Sequence, residues 1–264
     1  MQPLAAYVLH RYDWSETSLI LEVFTREQGR LAVAAKGAKR PYSQLRAVLL
    51  PFQRVALTVS RPARKRTESG EPVSDIQTLR SAEWAGGGPM LTGAALFTGF
   101  YLNELLLRLL ARHDPHPALF DAYAGALPAL ASGDAVLTQT ALRAFELVAL
   151  REIGVLPALD TVSASGAPLQ PDAPYALSAD GGLVARHSEA TLTGAQWQAI
   201  EAALAADELA AVQRACAPAL GALRTLLRGA LHYHLAHLGA GPLRTPDVLR
   251  DAWQLAPVLT SRTP

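Results

Sequence analysis

Along the first 80 residues, apolar and polar positions partly alternate over short runs rich in β-branched or apolar side chains. Leu4–His10, Thr17–Thr25, Arg30–Lys36, Arg54–Ser60 and Val73–Leu79 each read as a strand. In the second of these, Leu19, Leu21 and Val23 share one face while Ile20, Glu22 and Phe24 share the other, so the first set suits a barrel interior. Arg26–Arg30 supplies a hairpin turn in which Gly29 is free to take a positive φ. Five short strands, with a longer connection between the third and fourth, predict an OB-type β-barrel.

After the AGGGP stretch, Ala85 to Pro89, the period lengthens to that of a helix. Met90 to Asp114 predicts more than six turns, with Leu91, Ala95, Phe100 or Leu102, Leu106 and Leu109 or Leu110 on the buried face. A second helix is expected from Asp114 as N-cap, with Pro115 or Pro117 in its first turn and an end or kink at Pro128. A third opens at Asp134 and closes at Gly154. Pro157–Glu189 loses the period; its prolines and the Gly181–Gly182 pair predict two short hairpins or a loop-rich insert. Helices resume at Thr193 as N-cap and continue through Pro218–Gly239 to the tail after Thr245. The chain therefore reads as α+β and multidomain: a barrel over residues 1–82, a helical bundle over 83–156 and 191–264, and an insert over 157–190.

Half of the 264 residues are hydrophobic, enough for more than one core. The single cysteine, Cys216, excludes an internal disulfide, and the start of the chain lacks a secretory pattern, so a cytoplasmic, nucleoid-associated protein is expected. The uncharged stretch Ala85–Asn103 holds five glycines and Pro89, which suits a linker and a buried helix rather than a membrane span.

Charge changes the picture more. The net charge of +1 hides an excess of +6 in residues 1–80, where 13 Lys and Arg face 7 Asp and Glu. Gln28–Thr67 carries ten basic residues and no acidic one, including all three lysines. Such a block points to an anionic partner, nucleic acid foremost, because phosphates are held by several cations on one surface. Arg30, Lys36, Lys39, Arg40 and Arg46 are the main candidates, and Arg61, Arg64, Lys65 and Arg66 form a second cluster at an expected hairpin tip. Tyr42 and Phe52 inside the block, and Tyr7, Tyr12 and Trp14 beside it, are candidates for stacking or for the core.

No nucleophile elbow, zinc-protease, Walker-type or dinucleotide motif is present, so no enzymatic activity, cofactor or metal is expected. His232, His234 and His237 suggest a metal trio, but imidazoles near a helix C-terminus also suit its dipole, and no cysteine lies close. Glu104 and Glu146 sit on apolar helices, where an arginine partner is a better reading than acid–base work.

The stretch YVLHRYDWSETSLILEVFTREQGRLAVAAKGAKRP, beginning at Tyr7, resembles the N-terminus of the RecO family of bacterial recombination-mediator proteins. PFQRV, FYLNELLLRLLARHDPHPALFDAY, ALRAFELVALREIGVLPALD, GGLV and LHYHLAHLGAGPLRT follow in that family's order, so the resemblance spans nearly the whole chain. It implies an OB barrel followed by a helical bundle with a small zinc-finger-like insert. It also implies a non-enzymatic protein that binds single- and double-stranded DNA, anneals complementary strands and works with RecR. That pair would load RecA onto DNA coated by single-stranded DNA-binding protein.

On this chain the resemblance places DNA at Lys36, Lys39 and Arg40, with Arg30 and Arg46 as neighbours. Many relatives carry two cysteine pairs in the insert; the matching positions here are Val162, Ser165, Ala185 and Ser188, so no zinc site is expected. The acidic, aromatic-ended tail of single-stranded DNA-binding protein would need an apolar pocket rimmed by arginine, for which Arg108, Arg112, Arg143 and Arg151 are candidates. Two other readings stay open: a protein-interaction scaffold whose basic block is incidental, and a metal-dependent hydrolase built on the histidine trio.

Overall fold

The computed structural model describes residues 2–60, 75–86, 90–186, 190–239, 241 and 243–245. Five strands, β1 (Leu4–Asp13), β2 (Leu19–Thr25), β3 (Gly29–Ala35), β4 (Arg54–Ser60) and β5 (Gln77–Trp84), close a barrel in the order β1-β2-β3-β5-β4. All neighbours are antiparallel except β3 and β5, which meet in parallel at Val33–Gln77 and Ala34–Thr78. The fifth strand runs later than the sequence pattern suggests. Residues 78–84 lie opposite Val55–Ser60, which carries the strand past its expected end at Leu79; Val73 and Ser74, its expected start, lie outside the described residues.

Ala6, Val8, Leu21, Val23, Val33 and Leu57 fill the barrel. The other face of β1 and β2 is also buried: Tyr7, Leu9 and Phe24 pack into the helical core, with Tyr7 5.3 Å from Phe120 between ring centres. Barrel and bundle thus share an apolar seam along two strands.

The helices are α1 (Leu45–Val48), α2 (Gly93–Leu109), α3 (Pro117–Ala131), α4 (Ala135–Glu152), α5 (Gly194–Ala205), α6 (Leu209–Cys216) and α7 (Leu220–His237). The long first helix predicted to reach Asp114 stops at Leu109, because the next residues are drawn onto the barrel. Arg112 pairs with Glu22, buried on the outer face of β2, and the His113 amide donates to the Arg30 carbonyl at 3.0 Å. A carboxylate enclosed there needs a cationic partner. Asp114 does not cap α3; His116 holds that position without a side-chain cap bond. Pro128 lies inside α3, which continues to Ala131.

Other local signals are realised as read. Asp134 accepts from the Val136 and Leu137 amides at 2.7 and 3.0 Å, and Thr193 forms a capping box with Gln196. Gly154, at φ +74°, follows the C-cap of α4.

The insert folds as a three-stranded sheet, β7-β6-β8, from β6 (Pro174–Ser178), β7 (Gly182–Ala185) and β8 (Leu192–Thr193). Leu159, Leu169, Tyr175, Leu183 and Leu192 join the same core as the helices, and the Trp197 indole donates to the Tyr175 carbonyl at 3.2 Å. Arg151 grips Glu201 through two bonds, and the same carboxylate accepts from the Leu159 amide. Burial alone would raise the Glu201 pKa, but these donors hold it below the ordinary glutamate value. Ser188 lies outside the described residues.

Candidate nucleic-acid interface

The basic block becomes a surface through the way two loops are tied together. Beyond β3 the chain turns at Gly37, whose φ of +72° a side chain would resist. The Gly37 amide reaches the Ser18 hydroxyl at 3.4 Å, and the Lys39 amide donates to the Thr17 carbonyl at 2.9 Å. The Lys39 ammonium reaches the Ser15 carbonyl and the Asp13 carboxylate, both at 3.1 Å. The loop after β3 is thereby fastened over the loop joining β1 and β2. Successive turn bonds, from Arg40 to Gly37, Ser43 to Arg40 and Arg46 to Ser43, carry the chain into α1.

Lys36, Arg40 and Arg46 are exposed and make no ion pair among the described residues. Arg40 folds back so that its guanidinium lies against Gly37, and the residue as a whole is exposed. Lys39 is the exception through Asp13, but that carboxylate is itself exposed, and such pairs are readily exchanged for a phosphate. Arg30 lies apart from the group. Its guanidinium donates to the Leu107 carbonyl at 2.5 Å, and burial lowers its pKa despite nearby Glu22. Arg61, Arg64, Lys65 and Arg66 lie outside the described residues.

The aromatic candidates divide clearly. Tyr7 and Phe52 are buried in the core, whereas Tyr12 (49% exposed), Trp14 (55%) and Tyr42 (99%) face solvent. Trp14 sits in the same loop that Lys39 fastens, and Tyr42 lies between Arg40 and Arg46. Exposed rings beside cations offer both stacking and charge to a single strand.

The four arginines expected to rim a partner pocket are all engaged internally. Arg108 pairs with Glu104 at 2.7 Å, Arg112 with Glu22, Arg143 with Glu146 at 3.0 Å and Arg151 with Glu201 at 2.6 Å. Glu146 also accepts from the Tyr101 hydroxyl at 2.7 Å. Burial pushes its carboxyl upward against the pull of Arg143 and Tyr101. Glu104 collects the amides of Arg244 and Thr245 and the Thr245 hydroxyl. These donors and Arg108 lower its pKa although burial acts the other way.

The histidine trio does not converge. His232 lies on the solvent face of α7, His234 lines a cavity against the insert, and His237 bonds the Tyr233 carbonyl. Among the described residues no group of three His, Cys, Asp or Glu is placed to hold a metal ion, and no helix is long and apolar enough to cross a membrane. Sequence reading passed over Arg224 and Arg228 on α7. Their signal was available, since Leu220–His237 contains two arginines four residues apart and no carboxylate.

Comparison with known proteins agrees with this architecture. The family model for the recombination protein O N-terminal region matches residues 1–83, and that for its C-terminal region matches residues 90–241. A DNA repair protein RecO of Polaromonas sp. is 51% identical over 249 residues, covering 93% of this chain and 94% of its own. Those of Verminephrobacter eiseniae and Delftia acidovorans are each 51% identical, covering 93% and 95% of this chain and 94% and 96% of their own. With a closed N-terminal barrel, a helical C-terminal region and matches over nearly its full length, the chain belongs to the RecO family of DNA repair proteins.

Proposed function

We propose that this DNA repair protein binds single- and double-stranded DNA along the edge of its barrel and anneals complementary single strands. With RecR, it would help load RecA onto DNA coated by single-stranded DNA-binding protein. The supporting observation is the fastening of the two loops, which holds the turn carrying Lys36, Lys39 and Arg40 against the loop that carries exposed Trp14. Cations grouped this way release counterions when they meet phosphates, giving affinity without sequence preference. Exposed Trp14, Tyr12 and Tyr42 supply π-faces that accept any base. Nothing in this mechanism breaks a covalent bond, so the proposed role is non-enzymatic. RecR and single-stranded DNA-binding protein are partners on the strength of the family resemblance. Arg108, Arg112, Arg143 and Arg151, the candidates for the rim of a tail pocket, are each paired with a carboxylate among the described residues.

The test is fluorescence anisotropy with a labelled oligonucleotide across a salt series. If about four phosphates are neutralised, log affinity for single strands falls against log salt with a slope near −3. Replacing Lys39→Ala together with Arg40→Ala weakens binding to all sequences alike and makes the slope shallower. Unchanged affinity of that variant at low salt would place the DNA elsewhere.

A further inference from the structure

We propose that the solvent face of α7 is a second polynucleotide-binding strip, separate from the barrel edge, that takes the phosphodiester backbone of a second strand. The proposal rests on the DNA-binding reading above and deepens it. Gly221, Arg224, Thr225, Arg228, Gly229 and His232 line an open groove of about 730 Å³ and are all exposed. Arg224 and Arg228 lie four residues apart, about 6 Å along the helix, so consecutive phosphates of an extended strand can each meet one guanidinium.

Neither arginine has an ion pair among the described residues, whereas Arg108, Arg112, Arg143, Arg151 and Arg214 are each held by a carboxylate. Glu146, the carboxylate within electrostatic reach of Arg224, is buried and already shared by Arg143 and Tyr101. Two cations are thus left facing water on a helix that carries no acid. A Cβ built at Gly221 or Gly229 would meet nothing within 4 Å, so a sugar–phosphate chain can approach the helix closely. His232 adds a ring N–H one turn beyond Arg228.

The described lining favours a polyanion, since it consists of two arginines, a threonine, a histidine and two glycines. A phosphodiester backbone needs only the charge and the access. One strand on the barrel edge and another on α7 would raise the effective concentration of each for the other, which is what annealing requires.

The test uses the full chain with Arg224→Gln and Arg228→Gln introduced together; both side chains are exposed, and circular dichroism checks the fold. Three readouts are compared: anisotropy of one limiting oligonucleotide, energy transfer between donor- and acceptor-labelled strands bridged by the protein, and annealing rate. The variant is expected to keep first-strand affinity within about twofold, while bridging weakens with a salt slope shallower by about 1.4 for two lost phosphate contacts. Annealing falls with the bridging. Bridging and annealing at wild-type levels would overturn the proposal. So would retained bridging together with loss of binding to an acidic peptide ending in phenylalanine, which would assign the groove to a protein. Failure of the barrel reading looks different: Lys39→Ala with Arg40→Ala would then leave first-strand affinity unchanged, whatever α7 does.

Discussion

Gly29→Ala tests the join between barrel and bundle. Gly29 sits at φ +69°, and a Cβ there would lie 1.9 Å from the Asp114 carbonyl oxygen and 2.4 Å from its carbon. Two costs add. The left-handed backbone disfavours a side chain by about 1–2 kcal/mol. The clash is with backbone, not with the end of a flexible side chain, and relief requires the 112–114 segment to shift, of order 1–3 kcal/mol more. That segment carries the Arg112–Glu22 pair and the His113–Arg30 bond, so displacement also loosens a buried carboxylate's partner. The control is Gly133→Ala, at φ +74° with nothing within 4 Å, which pays only the backbone cost. Urea unfolding followed by far-ultraviolet circular dichroism should show Gly29→Ala losing about 2–5 kcal/mol, against about 1–2 for Gly133→Ala. Equal losses in the two variants would refute the reasoning, since the contact with Asp114 would then contribute nothing.

Arg143→Ala should destabilise by about 3–5 kcal/mol in the same assay, because it leaves the Glu146 charge buried with the Tyr101 hydroxyl as its remaining side-chain partner. Adding Glu146→Leu should recover most of that loss; no recovery would mean that the pair is not the cause. Glu201 has a folded pKa below its unfolded value, so its stabilisation is complete above the ordinary glutamate value of about 4.3. It is lost as pH falls through the lower folded value. Glu201→Gln should therefore be less stable than wild type at neutral pH and show a flatter decline below about pH 4.3, read from urea midpoints against pH. Parallel curves would show that the carboxylate does not hold the insert.

Much of the fold was legible from residues close in sequence. Period-two runs placed the first four strands, since alternating apolar residues have one way to face a barrel interior. Asp134 and Thr193 marked helix starts because a cap bonds amides two or three residues away. Asp114 failed by the same logic: its backbone was claimed by the approach to Gly29, a contact across 85 positions that no local pattern carries. Glu22 and Phe24 fell on the strand face opposite the barrel interior, yet the bundle buries that face too.

The amino-acid order alone determined the barrel-then-bundle succession and the acid-free concentration of lysine and arginine after β3, because both follow from neighbours along the chain. Which cations stay available was decided only by tertiary structure. Arg108 meets a glutamate one turn away, but Arg112 reaches back 90 positions to Glu22 and Arg151 forward 50 to Glu201, leaving Lys36, Arg40, Arg224 and Arg228 facing solvent. Ion pairs form wherever folding brings opposite charges within about 4 Å, so the sequence states the number of cations and the fold states which are spent.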